Sequence, residues 1–379
     1  VITGESGAGK TETFKKLIQY LSWRAPSLDA PLTAGAADGD AAGSPPTFER
    51  LLLQTVPVLE SFGNAGTALN HNSSRYGKFV SLYYTRTGLL AGVVLKNYLL
   101  EKTRVVAAGA ERTFHAFYEL VAGADPAMRA ALKLDALPTS TRYMADLGSY
   151  NKGGKGGGST ARQLVGGLMK SLGGGGNKVP ARDDGAEFQE TCAAMKACAI
   201  SDQDGEAVWA IVGALLHLGA VSFAAASRDG ERLADADPDA ERALLADSVA
   251  EAALSTAAHL LGVGSDAFEA SLTSRKMKAG AEWITARNSP RASLHVLDSL
   301  AKVAYARIFG WLFEAANAAL GGDDAMAEAA LAYDEGGTAR RTKGAGAEAS
   351  AATMIGLLDM FGFESFATNS LEQLCINLA

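Results

Sequence analysis

Gly4-Glu5-Ser6-Gly7-Ala8-Gly9-Lys10-Thr11 is the stretch on which the reading of this chain turns. It fits the pattern G-x-x-x-x-G-K-[ST]. The pattern carries weight only between a strand and a helix, and both are signalled here. Val1-Ile2-Thr3 is apolar, and Thr11 to Trp23 sets Phe14, Leu17, Ile18 and Leu21 on one helical face. Glycines let successive backbone amides turn inward around phosphate oxygens, and the helix N-terminus adds its dipole. In such a loop Lys10 reaches the β- and γ-phosphates, and the Thr11 hydroxyl ligates Mg²⁺.

Two further segments carry related chemistry. Asn70-His71-Asn72-Ser73-Ser74-Arg75-Tyr76-Gly77-Lys78-Phe79 is a polar cluster set directly before a strand. Two hydroxyls and an arginine suit a loop that closes over a γ-phosphate: one hydroxyl completes a Mg²⁺ shell, the other positions a water. Alone, the cluster reads equally well as a capped turn. Asp359-Met360-Phe361-Gly362-Phe363-Glu364 follows the apolar run Met354 to Asp359. An acid at the end of a buried strand is where a P-loop enzyme supports its metal. Gly362 allows close approach of a backbone amide. Glu364 is placed to latch onto Arg75.

The rest of the chain sets the frame. Its 379 residues are 48% hydrophobic and 20% charged, which supplies a core and excludes wholesale disorder. A net charge of −7 argues against a nucleic-acid-coating protein. Three cysteines, Cys192, Cys198 and Cys375, form no disulfide framework and read as free thiols. No apolar run approaches the length of a membrane span, and no signal peptide opens the sequence. Loops are expected at 25–47, 151–182 and 321–352; eleven glycines lie between Gly153 and Gly176. Helices are expected from Glu111 to Val121, Gly205 to Gly219, and Val296 to Leu320 with Leu297, Leu300, Ile308, Trp311 and Leu312 inward. Lys78–Thr85 and Leu89–Leu95 read as a hairpin around Thr87-Gly88. Five histidines show no metal-ligand spacing, so His115 and His217 read as packed residues. Cys192 and Cys198 read as core thiols, Arg340-Arg341-Thr342-Lys343 as a solvated loop, and Trp23, Trp209, Trp283 and Trp311 as packing residues, with Trp283 the exception to watch.

The three phosphate-handling segments together resemble the myosin motor head. Gly4 to Glu12 looks like its P-loop, Asn70 to Phe79 like switch I, and Asp359 to Glu364 like switch II. Leu59 to Ala65, Tyr98 to Val105, Glu111 to Tyr118, Leu215 to Gly219, Asp298 to Lys302 and Leu371 to Asn377 also look family-like, in the same order. Tyr76 stands where the family usually has Phe. Kinesin switches share S-S-R and D-x-x-G-x-E, but Asn70, Asn72, the Gly77-Lys78-Phe79 run and Phe363 favour myosin.

The resemblance implies an α/β fold: a P-loop NTPase core of the myosin motor type with a large, mainly helical inserted upper subdomain. Residues 1–105 would form the nucleotide-binding core, 106–352 the upper actin-binding subdomain, and 353–379 the switch II strand and the start of the relay helix. The function implied is an actin-based cytoplasmic motor that hydrolyses Mg-ATP and couples switch closure to actin binding. The nucleotide would contact Gly4, Glu5, Ser6, Gly7, Ala8, Gly9, Lys10, Thr11, Glu12, Asn70 and Asn72. Thr11 and Ser74 would ligate Mg²⁺, with Asp359 acting through a water. Lys10, Ser73, Arg75, Gly362 and Glu364 would serve the chemistry. Glu282, sixteen residues before Asp298, would give an actin-facing loop a fixed negative charge. The family's base loop, lower subdomain, converter, lever arm and tail have no counterpart in these residues; light chains or calmodulin, and any membrane contact, would act through such segments. A nucleotide-binding or actin-tethering remnant without productive turnover is the alternative expectation.

Overall fold

The computed structural model describes residues 1–5, 7–24, 48–67, 70–84, 90–106, 111–144, 182–226, 242–320, 353–365, 369 and 371–378. The expected loops at 25–47 and 321–352, the expected loop 151–182 except for its last residue Arg182, the basic run Arg340 to Lys343 and the Thr87-Gly88 turn lie outside the described residues.

Helix α1 (Lys10–Arg24) follows the glycine-rich loop, and α2 (Phe48–Gly63) leads into a short ladder of β1 (Asn64–Ala65) with β2 (Ser73–Ser74). The expected hairpin is present as β3 (Gly77–Tyr84) and β4 (Leu90–Tyr98). A chain-distant strand, β9 (Thr353–Asp359), pairs antiparallel with the other edge of β3, giving the order β4-β3-β9. Ile2 then bridges Asp359 in parallel. The strand expected over Val1-Ile2-Thr3 is thus a single bridge. Strand β3 carries Val80, Leu82, Tyr83 and Tyr84, all buried, as a strand covered on both faces requires.

Between β4 and β9 the chain is mainly helical. A 3₁₀ turn (Lys102–Val105) precedes α3 (His115–Gly123), α4 (Pro126–Ala131), α5 (Asp184–Ala197) and α6 (Asp202–Leu218). Strands β5 (Phe223–Ala225) and β6 (Ala243–Leu245) then pair, and α7 (Ser248–Leu260) and α8 (Ser265–Thr273) follow. An exposed hairpin, β7 (Ser274–Ala279) with β8 (Glu282–Arg287), leads into the 30-residue α9 (Pro290–Ala319). Helix α10 (Leu371–Leu378) closes the described chain. Among the described residues, no helix is long and apolar enough to cross a membrane.

Helix starts follow capping chemistry more closely than apolar spacing. The side chains of Asp183, Ser201, Asp247 and Ser289 accept amides at the starts of α5, α6, α7 and α9. Ser289-Pro290 therefore begins α9 six residues before Val296. In contrast, α3 starts at His115 instead of Glu111, because Phe114 is extended and the Arg112 amide bonds the Gly66 carbonyl. Gly219 ends α6 with φ −63, so it is not a left-handed stop. A Cβ there would lie 3.1 Å from Tyr143 and Thr141, and close approach is what calls for glycine.

The core centres on aromatic rings. Tyr305 of α9 stacks on Phe114 at 4.7 Å and on Phe117 at 5.4 Å, and its hydroxyl donates to the Phe62 carbonyl at 2.8 Å. This fastens α9 to the end of α2. Trp209 is buried against Phe62 and Phe188. Tyr76 fills the place expected for Phe, edge-on to Phe309 and Phe313. Trp311, expected inward, is 37% exposed. The buried stripe runs through Leu297, Ala301, Tyr305, Ile308 and Leu312, and Trp311 lies on its flank. Cys198 is buried and Cys192 half-buried, as core thiols should be; burial pushes the Cys198 thiol up to about 11.

Candidate functional site

The sheet brings the three phosphate-handling segments to one place. The Ile2 amide donates to the Leu358 carbonyl at 3.0 Å, and Glu5 bridges Phe363, so residues 4–9 lie beside the segment following β9. Gly7 and Gly9 have φ of 83° and 81°, a left-handed backbone that glycine adopts without strain. Helix α1 then starts at Lys10. A cleft of about 300 Å³ opens at this helix end. Gly7, Gly9, Lys10, Thr11 and Glu12 form one wall, Asn70 to Ser74 a second, and Met360 to Gly362 a third. Gly4, Glu5 and Ala8 belong to the same loop, and Ser6 lies outside the described residues.

The Lys10 ammonium is held by the Gly4 and Glu5 carbonyls, at 2.9 and 2.7 Å. Burial lowers its pKa, and the charges of Asp359 and Glu364 offset part of that. The Thr11 hydroxyl donates to Asp359 Oδ2 at 3.4 Å, and Ser74 faces the same cleft. Burial raises the pKa of Asp359, opposed by Lys78 and Lys10. Two hydroxyls and one buried carboxylate are the oxygen donors that a hard divalent cation takes when phosphates complete its shell, so the residues present fit Mg²⁺. Among the described residues, no group of three or more His, Cys, Asp or Glu gathers to hold a metal by itself.

Arg75 is fully buried and joins the second wall to the third. Its guanidinium forks onto Glu364, pairing Nη1 with Oε1 and Nη2 with Oε2, the latter at 3.0 Å. Nη1 also donates to Ser73 Oγ at 3.1 Å, and that hydroxyl lies 3.5 Å from Glu364 Oε1. The third nitrogen, Nε, meets Glu101 Oε2 at 2.6 Å. Burial disfavours the Arg75 charge, but Glu364 and Glu101 outweigh it and raise its pKa. Glu101 itself is held below the usual carboxylate range: burial acts against this, and the charges of Arg75 and Arg104 prevail.

Asn70 and Asn72 both border the cleft, but their amides are used within the loop. Asn70 Oδ1 accepts the Asn72 amide at 3.1 Å, and its Nδ2 donates to the Asn72 carbonyl. Asn72 Oδ1 accepts from Asn64 at 3.0 Å and meets His115 Nε2 at 3.1 Å, while its Nδ2 donates to Glu60 at 3.1 Å. An amide oxygen only accepts, so His115 carries its proton on Nε2. Burial, with Arg182 and Arg112 nearby, holds the His115 pKa well below the usual histidine value. The unfolded chain gains a proton at this residue below about pH 6.5 and the folded chain does not, so acidification favours unfolding. Stability should fall below that pH with a slope of up to about 1.4 kcal/mol per pH unit from this site. His115→Gln should flatten the slope in denaturant titrations at pH 5 to 7; an unchanged slope would contradict the assignment.

Glu282 lies apart from the cleft, at the exposed start of β8, paired with Ala279 across a turn at Gly280. Trp283 beside it is 70% exposed, so it does not share the packing expected of the tryptophans and is the exception among them that the sequence flagged. Sequence reasoning gave no role to four residues of the site: Glu60, Lys78, Glu101 and His115. Glu60 had a usable signal, since it is a lone charge directly after the apolar pair Val58-Leu59.

Comparison with known proteins gives a consistent result. The family model described as myosin head (motor domain) matches residues 1–333. Across its whole length the chain is 32% identical to myosin type-2 heavy chain 1 of Schizosaccharomyces pombe and 33% identical to myosin-6 of Arabidopsis thaliana. It is 35% identical to the non-muscle myosin-2 heavy chain of Acanthamoeba castellanii. In each case it spans 20% of the relative's length.

Proposed function

The chain belongs to the myosin head (motor domain) family, and from that premise we propose that it forms the nucleotide-hydrolysing part of an actin-based motor, with a P-loop core and residues 106–352 as an inserted helical subdomain. The observation that carries the reading is the convergence of Lys10, Thr11, Ser73, Ser74, Asp359 and Gly362 on one cleft, with Arg75 and Glu364 joined behind it. The substrate is ATP. The Gly7 and Gly9 turns and the start of α1 cradle its phosphates, and Lys10 exchanges backbone carbonyls for phosphate oxygens. Thr11 and Ser74 would hold Mg²⁺, with Asp359 acting through a water, and the ion would supply charge neutralisation to the phosphates.

Hydrolysis is in-line attack of water on the γ-phosphate, where positioning and electrostatics dominate. The Ser73 hydroxyl, set between Arg75 and Glu364, orients the water. The Gly362 amide donates to the γ-phosphate and so reports its presence. Asn70 and Asn72 keep the second wall in shape. Loss of γ-phosphate removes the contacts that favour the joined walls, and the Arg75–Glu364 pair separates. The exposed β7–β8 hairpin with Glu282 faces actin.

The test is ATP turnover by the full-length protein with and without actin filaments. Actin should raise turnover, and immobilised protein should move filaments. Glu282→Ala should reduce the activation several-fold while leaving actin-free turnover intact. Stimulation by microtubules, or nucleotide binding with neither turnover nor movement, would overturn the reading.

A further inference from the structure

We propose that Glu101 is a positioning residue that holds Arg75 in register while Glu364 departs and returns. The inference rests on the hydrolysis cycle proposed above and assigns a part in it to a side chain outside the cleft.

Arg75 has no exposed surface, so its charge needs a partner in every state of the site. In the joined state it has two. Glu364 takes both terminal nitrogens, and Glu101 takes Nε at 2.6 Å. The two carboxylates are anchored differently. The Glu101 amide donates to the Arg75 carbonyl at 2.9 Å, so Glu101 grips the same residue by main chain and side chain. It also stands at the head of the 3₁₀ turn Lys102–Val105. Glu364 sits beyond β9, on the wall that moves when the site opens.

The neighbouring charges complete the device. Glu101 Oε2 also meets Arg104 Nε at 2.6 Å, and Arg104 Nη1 meets Glu111 at 2.9 Å. Without Glu364, Arg75 and Arg104 face Glu101 and Glu111, a balanced set of two and two. Separation of the walls therefore leaves the Arg75 guanidinium paired. Glu101 also fixes the plane of the fork, so the returning carboxylate meets two aligned donors.

The effects have a sign. Glu101→Gln weakens the support of Arg75 in both states, but more in the open state, where Glu364 does not help. The joined state gains, and steps that need separation slow. Arg104→Gln frees Glu101 for Arg75 alone, which favours separation. In single-turnover experiments on the full-length protein, the hydrolysis burst should survive in Glu101→Gln. Phosphate release, followed with a fluorescent phosphate sensor, should slow on the order of three- to ten-fold. In Arg104→Gln it should quicken. A purely structural role would move both variants the same way, and that result overturns the proposal, as does loss of the burst in folded Glu101→Gln or no change in either variant. If Glu101→Gln does not fold, Arg104→Gln decides alone: faster release supports the proposal, unchanged or slower release overturns it. A wild-type protein with no burst would instead overturn the hydrolysis reading beneath it.

Discussion

Replacing Arg75 by alanine should cost about 3–5 kcal/mol of folding stability, since it breaks a buried pair by removing one partner. The side chain has no exposed surface, and it neutralises Glu364 and shares in neutralising Glu101. Its removal strips the Glu364 carboxylate of both guanidinium donors and leaves a void behind. Arg75→Lys should recover little, because one ammonium cannot serve Glu101 and both oxygens of Glu364 at once. Chemical denaturation of wild type and both variants is the measurement. A loss below about 1 kcal/mol, the value of an exposed pair, would remove the buried lock.

Lys10→Ala should leave the fold in place and lower ATP turnover by about 10²–10³-fold, the range for loss of one preorganised charge-stabilising donor. The two properties separate because of how Lys10 is held. Its ammonium meets only main-chain carbonyls of its own loop, at 2.9 and 2.7 Å, so no buried carboxylate is stripped of a hydrogen-bonded partner. Turnover and a thermal melt on the same preparation read both effects. Near wild-type turnover would exclude Lys10 from the chemistry, and a large melting shift would make it structural.

The contrast between these residues shows what a sequence makes legible here. The loop from Gly4 to Thr11 and the hairpin of β3 and β4 are written in neighbouring residues, and each appears in the structure close to its expected bounds. The Arg75–Glu364 pair was readable from the chemistry of two polar segments, although 289 residues separate them. Glu101 and His115 were not. Each earns its place through a partner brought close by tertiary folding, Arg75 in one case and Asn72 in the other. Periodicity also reads a helix face too broadly: Trp311 fits an apolar count yet falls on the flank of the buried stripe. The starts of α6 and α9 were missed for the opposite reason, since a capping Ser201 or Ser289 is a local signal that an apolar count ignores.

The strand order β4-β3-β9, with Ile2 beyond it, has a consequence for biosynthesis. Strand β9 slots between β3 and Ile2, yet its first residue is translated about 276 residues after β3 begins. Until Asp359 leaves the ribosome, β3 has one open edge and Ile2 has nothing to bridge. The helical region between them is built from nearer contacts and can collapse first. The loop from Gly4 to Thr11 therefore waits for a partner strand that lies beyond the whole helical region in sequence. During that interval the exposed edge of β3, rich in Val80, Leu82, Tyr83 and Tyr84, is a binding surface for a chaperone and a point from which misassembly would begin.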